Sequence, residues 1–271
     1  MITSPDNLKL KEVRQLGRRA RREKLGLFTA EGEDIVLAGL RAGWVARSVF
    51  VPGSEPSSMP DVLRPIPVDD ALLAEHSHLG SSTRALAVYK QQWREPTGPL
   101  SVALWGVRDP GNIGTVIRSA DAFGASSVVL GPHSADPFSP KAVRGSMGAI
   151  FSVPVAKATD LGQLIGTTIA MVAAEPGDGG IAGTVPIHEV IPALVQAGTP
   201  ITIVVGSERE GLPESVAKAC DVRATIPMAR DSVNAAMAAT IALYEIARAE
   251  LVNGSAPAST SSNSDLSGSS T

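Results

Sequence analysis

From residue 100 onward, short apolar runs rich in β-branched residues alternate with amphipathic segments of helical period, and few folds accept that pattern. The runs Ser101–Val107, Ser126–Leu130, Ser152–Val155, Thr168–Ala174, Ile201–Val205 and Val222–Ile226 read as strands. Between and after them, Ile113–Phe123, Pro140–Met147, Leu161–Ile165, Ile187–Gln196, Glu214–Cys220 and Asn234–Leu251 read as helices. A strand followed by a helix crosses over to reach a parallel neighbour. Strands that are apolar throughout, rather than at alternate positions, are covered on both faces. The alternation therefore predicts an α/β fold: a mostly parallel sheet between layers of helices.

Residues 1–92 are organised differently. Residues 7–24 read as one helix with a thin apolar stripe of Leu8, Val13, Leu16 and Ala20. A strand at Phe28–Glu31, a helix at Asp34–Gly43, strands at Val45–Val51, Val62–Val68 and Ala85–Tyr89, and a helix at Asp69–Glu75 complete a small α/β unit. Residues 93–99, polar and holding two prolines, read as a linker to a second unit at 100–253. The tail 254–271 is rich in serine with one charged residue, too polar to bury a core, and is expected to be disordered.

At 271 residues and 44% hydrophobic, the chain has ample material for two such units. No apolar run is long enough to span a bilayer and the N-terminus does not resemble a signal peptide, so a cytoplasmic protein without membrane association is expected. Cys220 is the only cysteine and the four histidines are dispersed, which excludes an intrachain disulfide and leaves no metal site to expect. The net charge of −3 conceals an asymmetry. Residues 9–24 carry Lys9, Lys11, Arg14, Arg18, Arg19, Arg21, Arg22 and Lys24 against Glu12 and Glu23, while the remainder is acidic. Clustered cations on an acidic protein point to a localised polyanion contact, or to a solvated helix face.

Four stretches carry candidate chemistry. In Val107–Gly124, Asp109-Pro110-Gly111 is a turn, Asn112 is a candidate N-cap, and Arg118 lies one and a half turns further on, able to face a phosphate near the helix start. Pro140–Gly148 groups Arg144, Ser146 and Gly148. Gly206–Gly211 (GSEREG) ends an apolar strand, with Gly206 allowing close backbone approach to a ligand and Glu208 and Glu210 offering carboxylates. In Ile226–Asn234, Ser232 and Asn234 flank Val233 where the last helix begins, one to cap it and the other to face a pocket. Each alone also reads as an ordinary turn, cap or surface loop. In the last helix Met237, Ile241, Tyr244 and Leu251 keep helical spacing, as core or dimer packing does. Gly177–Ala182 matches a dinucleotide-binding pattern, but no helix convincingly begins within it.

Taken together, NIGTVIRSADAFGA, VVGSEREGLPESV and IPMARDSVNAAMAATIALYE resemble the three motifs of the SpoU (TrmH) family of RNA 2′-O-ribose methyltransferases, in the family's order and at compatible spacing. Residues 5–43 are similar to that family's N-terminal substrate-binding domain. The resemblance implies a SPOUT-type catalytic domain with a deep trefoil knot, S-adenosylmethionine as methyl donor, and a homodimer with composite sites. It assigns Asn112, Arg118, Glu208, Ser232 and Asn234 to catalysis. Gly206, Ile226 and Val233, with Ala174 and Met228 beside them, go to the donor. Arg18, Arg19, Arg21, Arg22 and Arg144 go to RNA. Two departures stand out: the family's third motif usually closes on a serine where this chain has Ala236, and the loop before that motif is short.

The implied reaction is in-line attack of a ribose 2′-oxygen on the sulfonium methyl. A guanidinium stays protonated at ordinary pH, so Arg118 is cast as a clamp on the adjacent phosphate or as a stabiliser of the developing alkoxide. The two-unit layout favours ribosomal RNA. The same motifs would serve an enzyme acting on tRNA or one protecting the ribosome from an antibiotic, and a non-catalytic RNA-binding assembly factor is the reading from another class.

Overall fold

The computed structural model describes residues 1–54, 59–78, 83–173, 183–228 and 233–254. Of the site residues expected above, Ala174 and Ser232 lie outside the described residues, as do Gly177–Ala182 and the tail beyond Gly254.

The N-terminal unit runs α1 (Leu8–Leu16), α2 (Arg19–Leu25), β1 (Leu27–Glu31), α3 (Glu33–Arg41), β2 (Ser48–Pro52), β3 (Ile66–Val68), α4 (Asp70–His76) and β4 (Leu86–Lys90). Its sheet has the order β1-β4-β2-β3, with β4 antiparallel to both neighbours and β2 parallel to β3. The single helix expected over 7–24 is broken. Gly17 closes α1, Arg18 is extended, and α2 starts afresh at Arg19. The break has a physical cause in Arg22, whose guanidinium folds back to donate to the carbonyls of Leu16 and Gly17 at 2.8 and 3.0 Å.

That finding corrects the assignment of Arg22 to RNA. Arg22 is 3% exposed and clamps Asp136 of the second unit, with Nε and Nη2 each 2.7 Å from Oδ2. The other Asp136 oxygen accepts from the Phe138 N–H at 2.9 Å. A desolvated pair of this kind is tolerated because both groups make further hydrogen bonds beyond the pair itself.

The second unit runs β5 (Leu100–Leu104), α5 (Pro110–Ala122), β6 (Ser127–Leu130), α6 (Pro140–Ser146), β7 (Val155–Lys157), β8 (Thr167–Met171), β9 (Thr184–Pro186), α7 (Ile187–Gln196), β10 (Ile201–Val205), α8 (Glu214–Ala219), β11 (Val222–Thr225) and α9 (Ala235–Val252). Seven strands in the order β7-β6-β5-β10-β8-β11-β9 form a sheet in which every pairing is parallel. Side chains divide by alternation. Val102 and Leu104, Val128 and Leu130, Ile203 and Val205, and Ile169 and Met171 face α5, α6, α7 and α9. Ala103, Val129, Val204 and Ala170 face the opposite layer, with Ala217 and Cys220 from around α8. The buried Cys220 thiol, its pKa pushed up by burial, is part of that layer.

Three expectations change in detail. The helix expected at Leu161–Ile165 is a single 3-10 turn at Leu161–Gln163. The strand expected at Ser152–Val155 lies at Val155–Lys157. The short edge strand β9 was not anticipated, because three residues ending in proline carry no period.

The two units share one core. Phe28 packs against Phe138 with centroids 5.0 Å apart, Tyr89 against Phe151 at 4.8 Å, and the Trp44 indole N–H donates to the Phe151 carbonyl at 2.9 Å. The connecting segment is itself pinned, since the Arg94 N–H donates to the Val155 carbonyl and Arg94 bridges Ala156 in parallel.

Candidate active site

The C-terminal ends of β8, β10 and β11 open onto a cavity of about 330 Å³. In a parallel α/β sheet the strand ends are where loops gather and ligands bind. Met171, Val172 and Ala173 line it from β8, Val205 to Leu212 from β10, Arg223, Ile226 and Met228 from β11, and Val233, Ala235 and Ala238 from the start of α9. Glu214, Ala217 and Lys218 of α8 close one side.

The loop after β10 is tightly folded for a reason visible in its glycines. Ser207 and Gly211 exchange backbone hydrogen bonds at 3.1 and 3.0 Å, folding the loop back on the strand end. A Cβ on Gly206 would collide with the backbone of Gly211 and Leu212. The close approach at Gly206 is made by the loop to itself.

Two side-chain contacts tie this loop to the start of α5. The Asn112 amide donates to the Glu208 carboxylate, and Arg108 pairs with Glu210 at 3.7 Å. Asn112 is not the cap of α5. Asp109 caps it, accepting from the Gly111 N–H at 2.6 Å and from Lys141 Nζ at 2.8 Å, with Pro110 in the first turn. Those bonds hold the Asp109 carboxyl below its ordinary value. Asn112 is thereby free to face Glu208. At α9 the cap is Asn234, whose Oδ1 accepts from the Met237 N–H at 2.8 Å.

Of the expected donor residues, Gly206, Ile226, Met228 and Val233 line this cavity, and Glu208 joins them. Arg118 and Arg144 do not. Arg118 sits on the exposed face of α5, six residues past Asn112 or roughly 9 Å along the axis, with no ion pair among the described residues. Arg144 lies exposed near the end of α6, beside Gly32 and Asp34 of the N-terminal unit. Arg18, Arg19 and Arg21 are exposed on and before α2, Arg19 in an ion pair with Glu23 at 2.8 Å.

Among the lining residues not singled out beforehand is Arg223. A charged Arg223 inside a strand of otherwise small and apolar residues was the available signal. Lys218 is bound to Glu214 at 2.6 Å. The departure at Ala236 is also explained: this residue is 2% exposed within the core, and its carbonyl accepts from the Thr240 hydroxyl. A hydroxyl buried there would need a partner of its own.

Among the described residues no three His, Cys, Asp or Glu side chains gather as a metal site would require, and no helix is long and apolar enough to cross a membrane.

Comparison with known proteins adds to this geometry. Residues 99–244 match the profile described as the SpoU rRNA Methylase family. Over 259 residues the chain is 30% identical to the 23S rRNA (uridine(2479)-2′-O)-methyltransferase of Streptomyces viridochromogenes, covering 86% of each chain. It is 26% identical to the 23S rRNA (guanosine(2553)-2′-O)-methyltransferase RlmP of Bacillus subtilis, covering 90% of this chain and 98% of that one. Among solved structures, an AdoMet-bound rRNA methyltransferase from Sinorhizobium meliloti superposes with a TM-score of 0.77 at 30% identity, over 91% of this chain and 97% of the other.

Proposed function

The chain belongs to the SpoU rRNA methylase family as an S-adenosylmethionine-dependent RNA ribose 2′-O-methyltransferase, and from that premise we propose that its substrate is 23S rRNA. Two relatives matched over most of their length carry that activity in their names. A cytoplasmic location and the knotted course of the catalytic unit belong to the same reading.

The cavity fits the donor. Its volume of about 330 Å³ falls in the range of roughly 300–1,000 Å³ usual for small-molecule sites. Apolar strand ends and the closed Gly206–Leu212 loop give it a fixed wall, with charged side chains at its rim. Bound there, S-adenosylmethionine supplies a methyl group already activated as a sulfonium, so the protein has to position the acceptor and ease its loss of a proton.

Asn112, held on Glu208, fixes the start of α5 against the donor loop. Arg118, without an ion pair among the described residues, is the cation available to hold a substrate phosphate or to stabilise charge growing on the 2′-oxygen. Its place outside the cavity supports a site completed by a second copy of the chain. Met237, Tyr244 and Leu251, spaced seven apart along α9, are 55%, 51% and 66% exposed, an apolar stripe that a homodimer would cover. Helix α9 is joined to α5 next to Arg118 by a 2.7 Å hydrogen bond between Ser119 and Thr240.

The observation that carries the proposal is the Asn112–Glu208 contact, which fastens the helix bearing Arg118 to the wall of the cavity. Calorimetric titration with S-adenosylmethionine, followed by transfer of tritiated methyl to 23S rRNA, tests it. Saturable donor binding with label in the RNA is expected. Donor binding with no label in 23S rRNA would remove the assigned substrate.

A further inference from the structure

A second cavity, of about 290 Å³, lies between the two units at the C-terminal ends of β6 and β7. It is distinct from the donor cavity, which opens at β8, β10 and β11, although both lie along the same edge of the sheet. Arg19 and Glu23 of α2 line it from one unit, the connecting segment supplies Trp93, and the loop after β6 with the end of β7 supplies His133 and Lys157.

The lining has the composition of a nucleotide site. The ring of Trp93 is half-buried, braced edge-on by Phe138 at 5.1 Å, and its segment is fixed to β7 through Arg94. Lys157 Nζ stands 3.9 Å from the ring centroid. An exposed cation over a ring is weakly held, and can be exchanged for a base while the ammonium turns to a phosphate. The acids are accounted for. Asp136 is buried and neutralised by Arg22, and Glu23 is bonded to Arg19, with Lys157 close enough to help hold its carboxyl below the ordinary range. His133 is exposed and held in the left-handed backbone region at φ 62°, in a turn whose next residue, Ser134, hydrogen-bonds the Leu104 carbonyl and the Gly106 N–H. That turn is therefore anchored to the segment leading into α5.

We propose that this cleft seats one nucleotide of the RNA substrate, its base against Trp93 and its phosphate on Lys157. The proposal rests on the reading of the chain as an RNA methyltransferase and adds to it a subsite away from the donor. An aromatic platform flanked by cations suits a single-stranded base, since every base has a face to stack. The site would hold the RNA in register along the edge of the sheet, between the basic surface of α2 and the start of α5. Trp93 and Lys157 are positioning residues.

The test uses the full chain, 23S rRNA transcribed in vitro and a fluorescent single-stranded RNA oligonucleotide. Trp93→Leu is expected to raise the KM for rRNA about tenfold, the scale of one lost stack, with kcat and donor affinity unchanged. Trp93→Phe, which keeps a ring, should retain most of the affinity. Lys157→Ala, at an exposed position, should weaken oligonucleotide binding and lower the slope of log affinity against log salt by about one. Were Trp93 and Lys157 merely structural, Trp93→Leu would lower the melting temperature while KM and the salt slope stayed at wild-type values, and that result overturns the proposal. If wild-type chain binds donor yet neither binds nor methylates RNA, the substrate reading itself has failed and the cleft falls with it. If wild type methylates and both variants match it, the cleft alone is refuted.

Discussion

At the scale of single residues, the proposed site pairs an exposed cation on α5 with a crowded glycine after β10. Arg118→Ala should lower methyl transfer by about 10²–10³-fold, the usual cost of removing one preorganised charge donor, with donor binding intact; single-turnover transfer alongside calorimetry checks both halves. Gly206→Ala should act on the other half. Its new Cβ meets the backbone of Gly211 and Leu212, so the loop must open, and calorimetry should show donor affinity falling by at least about tenfold. The roles of these two residues were legible to different degrees. The need for glycine at 206 followed from a strand end and a tight loop, but what it approaches did not. The burial of Arg22 was illegible, because its partner Asp136 lies 114 residues away and nothing local distinguishes it from Arg18, Arg19 and Arg21.

At the scale of elements, helix ends and helix contacts set the geometry. Asp109→Ala removes the cap of α5 and the Lys141 contact, and should cost about 1 kcal/mol, read as a lower denaturation midpoint. Its folded pKa is depressed, so its contribution is complete above the ordinary value of 3.8 and is lost as pH falls through the lower folded value. Wild type and Asp109→Asn should therefore converge in stability only in acid. Helices α5 and α6 meet closely at Gly114, where a Cβ would strike the Ala142 carbonyl oxygen and come within 3.0 Å of the Gly145 Cα. Most of this layer could be read from alternation, since strands such as Ile201–Val205 are apolar throughout and their neighbours have helical period. Breaks set by distant partners could not be read. The gap between α1 and α2 exists because Arg22 turns back on α1, and β9 exists because β11 offers it an edge.

At the scale of the whole molecule, the two units act as one body rather than as a tethered pair. The aromatic cluster of Phe28, Trp44, Tyr89, Phe138 and Phe151 spans their junction, and the Arg22–Asp136 pair locks α2 to the catalytic sheet. Asp136→Ala leaves a buried guanidinium unpaired and should destabilise the chain by about 3–5 kcal/mol, seen in urea unfolding as one shifted transition. Two separate transitions in wild type would count against the shared core. Two units were read from the change of pattern near residue 100, and the segment between them as a linker, because its pairing to β7 leaves no mark on a polar, proline-broken stretch. In the proposed reaction this body methylates a ribose of 23S rRNA through the cavity at β8, β10 and β11 and the charge on α5. The direct measurement is a map of 2′-O-methylation across 23S rRNA from cells lacking the chain. One position should lose its methyl, regain it with the wild-type chain, and fail to regain it with Arg118→Ala. An unchanged map, or full restoration by Arg118→Ala, would contradict the account.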